Sequence, residues 1–142
     1  MDKLHLEIIT PEKKIFSDEV DMVVIPGSEG DLGILPHHIP LFTKIKPGEM
    51  KIKRGDKEEY LAITGGFVDV TGEGKVVVLA DYAVKSTEIE IAKAEEAKKK
   101  AEEAMKDKKS VQNFAVAEAD LRKALLELKI AKRRKTPKFE AS

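Results

Sequence analysis

All nine glycines of this 142-residue chain lie at or before Gly74, and five of its six prolines lie at or before Pro47. Glycine and proline shape turns and interrupt helices, so a chain divided in this way cannot repeat one kind of element throughout. The break separates two successive modules, residues 1–86 and 87–142. Charge divides at the same place. There are 11 basic and 15 acidic side chains before residue 87 and 15 and 11 from there on, so the zero net charge is the sum of −4 and +4.

The first module alternates. Leu4, Leu6 and Ile8 are spaced by His5 and Glu7, Val20, Met22 and Val24 by Asp21 and Val23, and Met50 and Ile52 by Lys51 and Lys53. A period of two is that of a half-buried strand. Turn signals recur between such runs, at Lys46-Pro47-Gly48-Glu49, Arg54-Gly55-Asp56, Thr64-Gly65-Gly66 and Thr71-Gly72-Glu73-Gly74. Together they predict short antiparallel strands joined by hairpins, a small β-sandwich or barrel.

The second module is built from helix formers: residues 88–106 are almost wholly Ala, Glu, Lys, Ile and Met,. Thr87 with Glu90 reads as a capping box that opens a helix, with Ala94, Ala97, Ala101 and Ala104 on one face and a polar break over residues 106–110,. Phe114, Ala117, Leu121, Ala124, Leu128 and Ala131 then alternate steps of three and four, the seam of a second helix,. The fold class is therefore α+β, a β-sandwich followed by an antiparallel two-helix hairpin. Alanine buries little apolar area, at about 25 cal/mol per Å². Such a hairpin should be held lightly, either as a movable arm that exchanges its resting contact for a partner surface or as a docked lid.

Many chemistries are excluded. No stretch has the roughly 18 apolar residues of a membrane span, and the N-terminus lacks the apolar core of a secretory signal, so a soluble, cytoplasmic chain is expected. Without cysteine there is no disulfide, thiolate nucleophile or cysteine metal site,. The three histidines, His5, His37 and His38, stand without an evident partner, and adjacent residues in extended backbone point to opposite faces, so no metal centre is expected,. Nucleophile elbow, phosphate loop and zinc-protease motifs are all missing. Arg54-Gly55-Asp56 reads as a hairpin turn rather than an adhesion motif. From Lys129 to Lys138 six basic residues occur with no acid, a run that attracts polyanions,. An acidic protein surface suits a neutral chain with an acidic first module better than nucleic acid does.

The segment Gly30-Asp31-Leu32-Gly33-Ile34-Leu35-Pro36-His37-His38-Ile39-Pro40-Leu41 resembles the epsilon subunit family of F-type ATP synthases. The likeness continues through Gly65-Gly66-Phe67-Val68-Asp69-Val70 and Val76-Val77-Val78-Leu79-Ala80-Asp81 into both helices. What it implies is a non-catalytic rotor subunit of a proton-translocating synthase, peripheral on the cytoplasmic side of the membrane and attached only through the complex. Its sandwich would bind the gamma subunit and the c-ring, with no nucleic acid among its partners. The resemblance places Glu29, Asp31 and His38 at the c-ring and gamma contact, on a tight loop anchored by its apolar residues.

In bacterial members of that family the hairpin extends and inhibits ATP hydrolysis, so basic residues of the last helix are expected to face the beta subunit, with alpha beside it. By type and position these are Arg122, Lys123, Lys129, Lys132, Arg133 and Arg134. No cofactor is required. Regulatory ATP would use the family motif Ile-Asp-x-x-Arg-Ala, matched by Ile89, Glu90, Lys93 and Ala94 with Glu for Asp and Lys for Arg, which loses the planar fork that grips anions,. Without the resemblance, the runner-up is a β-sandwich binding module that displays a basic helical arm to an acidic partner or nucleic acid, and a hydrolase using His38 is a distant third.

Overall fold

The computed structural model describes residues 2–106 and 111–135. Two compact units follow one another along the chain, the first ending at Lys85 and the second beginning at Ser86.

In the first unit ten strands form: β1 (Leu4–Ile9), β2 (Lys14–Val20), β3 (Met22–Gly27), β4 (Gly30–Ile34), β5 (Leu41–Ile45), β6 (Gly48–Arg54), β7 (Lys57–Ile63), β8 (Gly66–Val70), β9 (Lys75–Ala80) and β10 (Ala83–Lys85). Their order in the sheet is β10-β7-β6-β3-β5-β8-β9-β1-β2, and β4 lies beside β3. All pairings are antiparallel except β1 with β9, a parallel neighbour the turn signals did not announce. Between β6 and β5 the sheet bends at β3, which pairs with β6 through Met22–Val24 but meets β5 only at Gly27. Leu4, Leu6, Ile8, Val23, Ile25, Ile34, Met50, Ile52, Leu61, Ile63, Val68 and Val78 fill the space between the layers.

Arg54 fastens the curled sheet where strands far apart in its order meet. Its guanidinium donates to Asp18 of β2 at 2.6 Å and to Glu59 of β7 at 2.5 Å, and it lies 5.3 Å from the centre of the Phe16 ring. The Arg54-Gly55-Asp56 segment is thus a structural hairpin turn, with Gly55 at φ +58°.

The alternation expected through Val20, Met22 and Val24 does not run through. β2 ends at Val20, the chain bends at Asp21, and in β3 Val23 and Ile25 are buried, followed by Pro26 and Gly27, while Met22 and Val24 are half-buried. The bend is held by Asp21, whose N–H donates to Lys53 O at 2.8 Å and whose carboxylate accepts from Gly55 N at 2.5 Å and pairs with Lys3. The hydrogen bonds that the carboxylate accepts, from Lys3 first and then from Gly55 N–H, hold it below the usual carboxylate range.

The second unit has a one-turn helix at Ser86–Glu88, then α1 (Ile91–Met105) and α2 (Val111–Lys135). Thr87 and Glu90 do not form the expected capping box. Thr87 is taken into the short turn, and Glu90 caps α1 with its backbone, without a side-chain cap hydrogen bond, while its carboxylate reaches forward to Lys93 at 3.4 Å. Ala94 and Ala101 are buried, but Ala97 and Ala104 are exposed, so the alanine face is split. In α2 the seam holds: Ala117, Ala124, Leu128 and Ala131 are buried, and Phe114 and Leu121 half-buried. Lys132 donates to Glu95 at 3.0 Å, joining the end of α2 to the start of α1 as an antiparallel hairpin requires. The expected polar break begins at Lys106; residues 107–110 and Lys138 lie outside the described residues.

Candidate functional site

The segment expected as one loop is divided by a strand. Ser28 and Glu29 form a two-residue hairpin turn between β3 and β4, and Gly30–Ile34 pairs along its whole length with β3. Ile34 is buried, Leu35 is 56% exposed, and His37 takes φ +70° in the connection that follows. Glu29 and Asp31 are exposed near one end of β4, and His38 is half-buried beyond the other. A five-residue strand spans about 17 Å at roughly 3.4 Å per residue, so His38 does not share a surface with the two carboxylates,.

Strand register sorts the connections into two poles. The turn bearing Glu29 lies with those around Lys46-Pro47 and Thr64-Gly65, since Ser28 N donates to Lys44 O at 3.1 Å, Lys46 N to Pro26 O at 2.9 Å and Asp81 N to Gly65 O at 3.0 Å. A cleft of about 380 Å³ opens there, with Ser28, Lys44, Lys46, Thr64 and Asp81 among its walls. At the opposite pole His37 pairs with Asp2, His38 Nδ1 lies 2.7 Å from Ile39 O, and Pro40 approaches Gly72.

Sequence reasoning missed an apolar stripe across the outer face of β5, β8 and β9. Phe42 is 63% exposed, Phe67 45% and Leu79 46%. The two rings stack with centroids 5.6 Å apart and planes 13° from parallel, and Phe67 stands opposite Leu79 in the β8–β9 ladder. Each is a large apolar residue on the polar phase of its strand, between inward-facing neighbours such as Val68 or Val78. That misplaced phase was the available signal. Adjacent exposed apolar side chains, unlike ones scattered singly, are what a contact surface offers.

His5 is less isolated than its sequence surroundings suggested. Its Nδ1 lies 3.2 Å from Glu19 Oε2, and its Nε2 lies 3.5 Å from Ser17 Oγ and 3.6 Å from Glu7 Oε2. Among the described residues no group of three or more His, Asp or Glu side chains is placed to hold a metal ion. Nor does any described helix have the length and apolarity to cross a membrane.

On the hairpin, Arg122, Lys129 and Arg133 are exposed. Their spacing of seven and four brings them onto one stripe of α2. Arg122 pairs with Glu118 at 2.8 Å along that stripe. Lys123 and Arg134 are half-buried on another face, and Lys132 is engaged by Glu95, whose carboxyl that hydrogen bond holds below the usual range. The structure thus divides the six basic candidates into three groups. At the start of α1, Ile89 and Ala94 are buried while Glu90 and Lys93 pair with each other in solvent.

Comparison with known proteins agrees in both units. Residues 3–86 match the family described as ATP synthase, Delta/Epsilon chain, beta-sandwich domain, and residues 87–132 match its long alpha-helix domain. The ATP synthase epsilon chain of Dehalococcoides mccartyi is 52% identical over 139 residues, 96% of this chain and 99% of the relative. That of Syntrophobacter fumaroxidans is 41% identical over 132 residues, 93% and 98% of the two chains. The fold is shared with a chain of the Euglena gracilis mitochondrial ATP synthase OSCP/F1/c-ring assembly at a TM-score of 0.70, with 24% identity over 84% of this chain and 76% of that one. It is also shared with a chain of the Tetrahymena thermophila mitochondrial central stalk and c-ring, at a TM-score of 0.64 with 16% identity over 92% and 97%.

Proposed function

The chain belongs to the ATP synthase delta/epsilon chain family as an epsilon chain, a non-catalytic subunit of a membrane-associated complex, and from that premise we propose how its surfaces are used. The sandwich docks on the gamma subunit through Phe42, Phe67 and Leu79. Its Glu29 and Asp31 pole meets the polar loops of the c-ring, on the cytoplasmic side of the membrane, and His38 at the opposite pole contributes to the gamma contact. The reading is carried by one observation: three large apolar side chains stand exposed together on a sheet whose other face is a filled core.

The helical hairpin acts as a brake on ATP hydrolysis. Arg122, Lys129 and Arg133 form its leading basic stripe toward acidic residues of the beta subunit, with alpha alongside, while Lys123, Lys132 and Arg134 become available as the hairpin rearranges. Single exposed ion pairs contribute under about 1 kcal/mol, so the stripe works through its collective charge. Truncation after Ser86 tests this reading. In a reconstituted ATPase head the shortened chain should still bind, and turnover should rise several-fold over that with the full chain. Equal binding with equal turnover would remove the brake from the account.

Regulatory ATP on the hairpin is a separate proposal that requires Lys93 to exchange Glu90 for a phosphate. Binding to the folded hairpin alone would stabilise it by RT ln(1 + [ATP]/Kd). Equilibrium dialysis against millimolar ATP decides the matter, retained nucleotide supporting the site and none discarding it.

A further inference from the structure

β4 is an open edge. Among the described residues it pairs with β3 alone, and no strand lies on its other side. The register shows which peptide groups that edge presents. Pro26, opposite Asp31, has no N–H, and its carbonyl accepts from Lys46 N at 2.9 Å on the far side of β3. β3 therefore offers nothing to Asp31, whose N–H and C=O point away from it. In an antiparallel ladder this orientation alternates, so the peptide groups of Gly33 face outward as well, whereas those of Leu32 are bonded to Ile25,.

The edge is also accessible. Asp31 and Gly33 are exposed, and a Cβ added at Gly33 would meet nothing within 4 Å, so the sheet face beside the edge is clear as well,. Edge strands of this kind are commonly protected by lysine, by proline or by a covering loop, because free ladder groups recruit another strand. Here two glycines and one carboxylate occupy five positions. Glu29 and Asp31 place two acids at one end of the edge, and no ion pair among the described residues uses either.

We propose that β4 receives an extended, basic segment of a rotor partner by strand addition, with main-chain hydrogen bonds to Asp31 and Gly33 and a Lys or Arg of the segment beside Glu29 and Asp31. Main-chain pairing supplies affinity in this mode and the flanking side chains supply selectivity. The inference rests on the rotor reading above and assigns a binding mode to its acidic pole.

The test uses the full chain assembled with purified gamma subunit and c-ring. Hydrogen exchange, read residue by residue after quenched dissociation, should show the Asp31 and Gly33 amides exchanging fast in the free chain and protected in the assembly, with Leu32 protected in both. Gly33→Pro, which deletes the outward N–H and leaves the β3 pairing intact, should weaken assembly about tenfold or more at an unchanged melting temperature. Fast exchange of Asp31 and Gly33 within an intact assembly would overturn strand addition. So would protection arising only from self-association of the free chain in sedimentation, which would make the occupant a second copy. Failure of the unaltered chain to assemble at all would instead tell against the rotor reading.

Discussion

Gly66→Ala should abolish stable folding of the sandwich near physiological temperature. An alanine Cβ at this position would lie 2.0 Å from the carbonyl oxygen of Leu79 and 2.9 Å from Ala80 Cα, both backbone atoms of the neighbouring strand. Gly66 also holds φ +142°, a conformation that L side chains rarely adopt,. Relief by rotation is not available, because the obstacle is main chain. β8 and β9 would have to part in the middle of the sheet, between the Ile45–Gly66 and Gly66–Ala80 pairings. The cost belongs among the exceptional substitutions, about 4 kcal/mol or more, against roughly 5–15 kcal/mol for a whole domain. Thermal unfolding followed by circular dichroism should show the melting temperature falling by about 15 °C or more. Gly33→Ala is the reference, since its site is open and free of positive φ, and it should move stability by no more than about 0.5 kcal/mol,. A Gly66→Ala protein that melts within a few degrees of its parent would contradict this account of the β8–β9 contact.

Replacing Phe42 and Phe67 together by serine should leave the chain folded and, on the docking proposed above, sharply weaken binding to the gamma subunit. The rings are exposed in the free chain, so their loss removes little core packing beyond the 5.6 Å stack itself, about 0.5–1.5 kcal/mol,. In a docked complex each ring would be withdrawn from water, at about 2 kcal/mol per buried aromatic side chain. Two such losses correspond to an affinity decrease of at least about 100-fold. Surface plasmon resonance with immobilised gamma measures it directly. If the doubly substituted chain binds within threefold of the parent and melts at the same temperature, the stripe is not the gamma contact, and the proposal for the sandwich loses its carrying observation.

Both effects originate in pairings between residues distant in the sequence, and this separates what was legible there from what was not. Gly66 is visible as a turn signal beside Gly65, but the oxygen that forbids a side chain belongs to Leu79. Likewise Asp31 reads as an exposed acid in a glycine-rich segment, whereas its outward peptide groups follow from Pro26 and Lys46 across the sheet. Phe42, Phe67 and Leu79 belong to three strands whose adjacency no local pattern states. The capping box fails for a related reason: Thr87 and Glu90 have the right spacing, but the one-turn helix at Ser86–Glu88 claims the first of them.

Local chemistry settled the change from strands to helices, because alternation and turn residues act within a few positions and the run of helix formers from residue 88 onward has no glycine to interrupt it,. The seam of α2 and the absence of cysteine or zinc-protease chemistry were equally readable from the chain. Tertiary structure alone decided that Asp21 shifts the phase of β3, that Glu29 and His38 stand at opposite poles, that Lys132 is engaged by Glu95, and that β4 keeps an open edge. Each depends on which strand or helix lies alongside, and that is set by burial of the common core and the bending of the sheet rather than by the residues at the site.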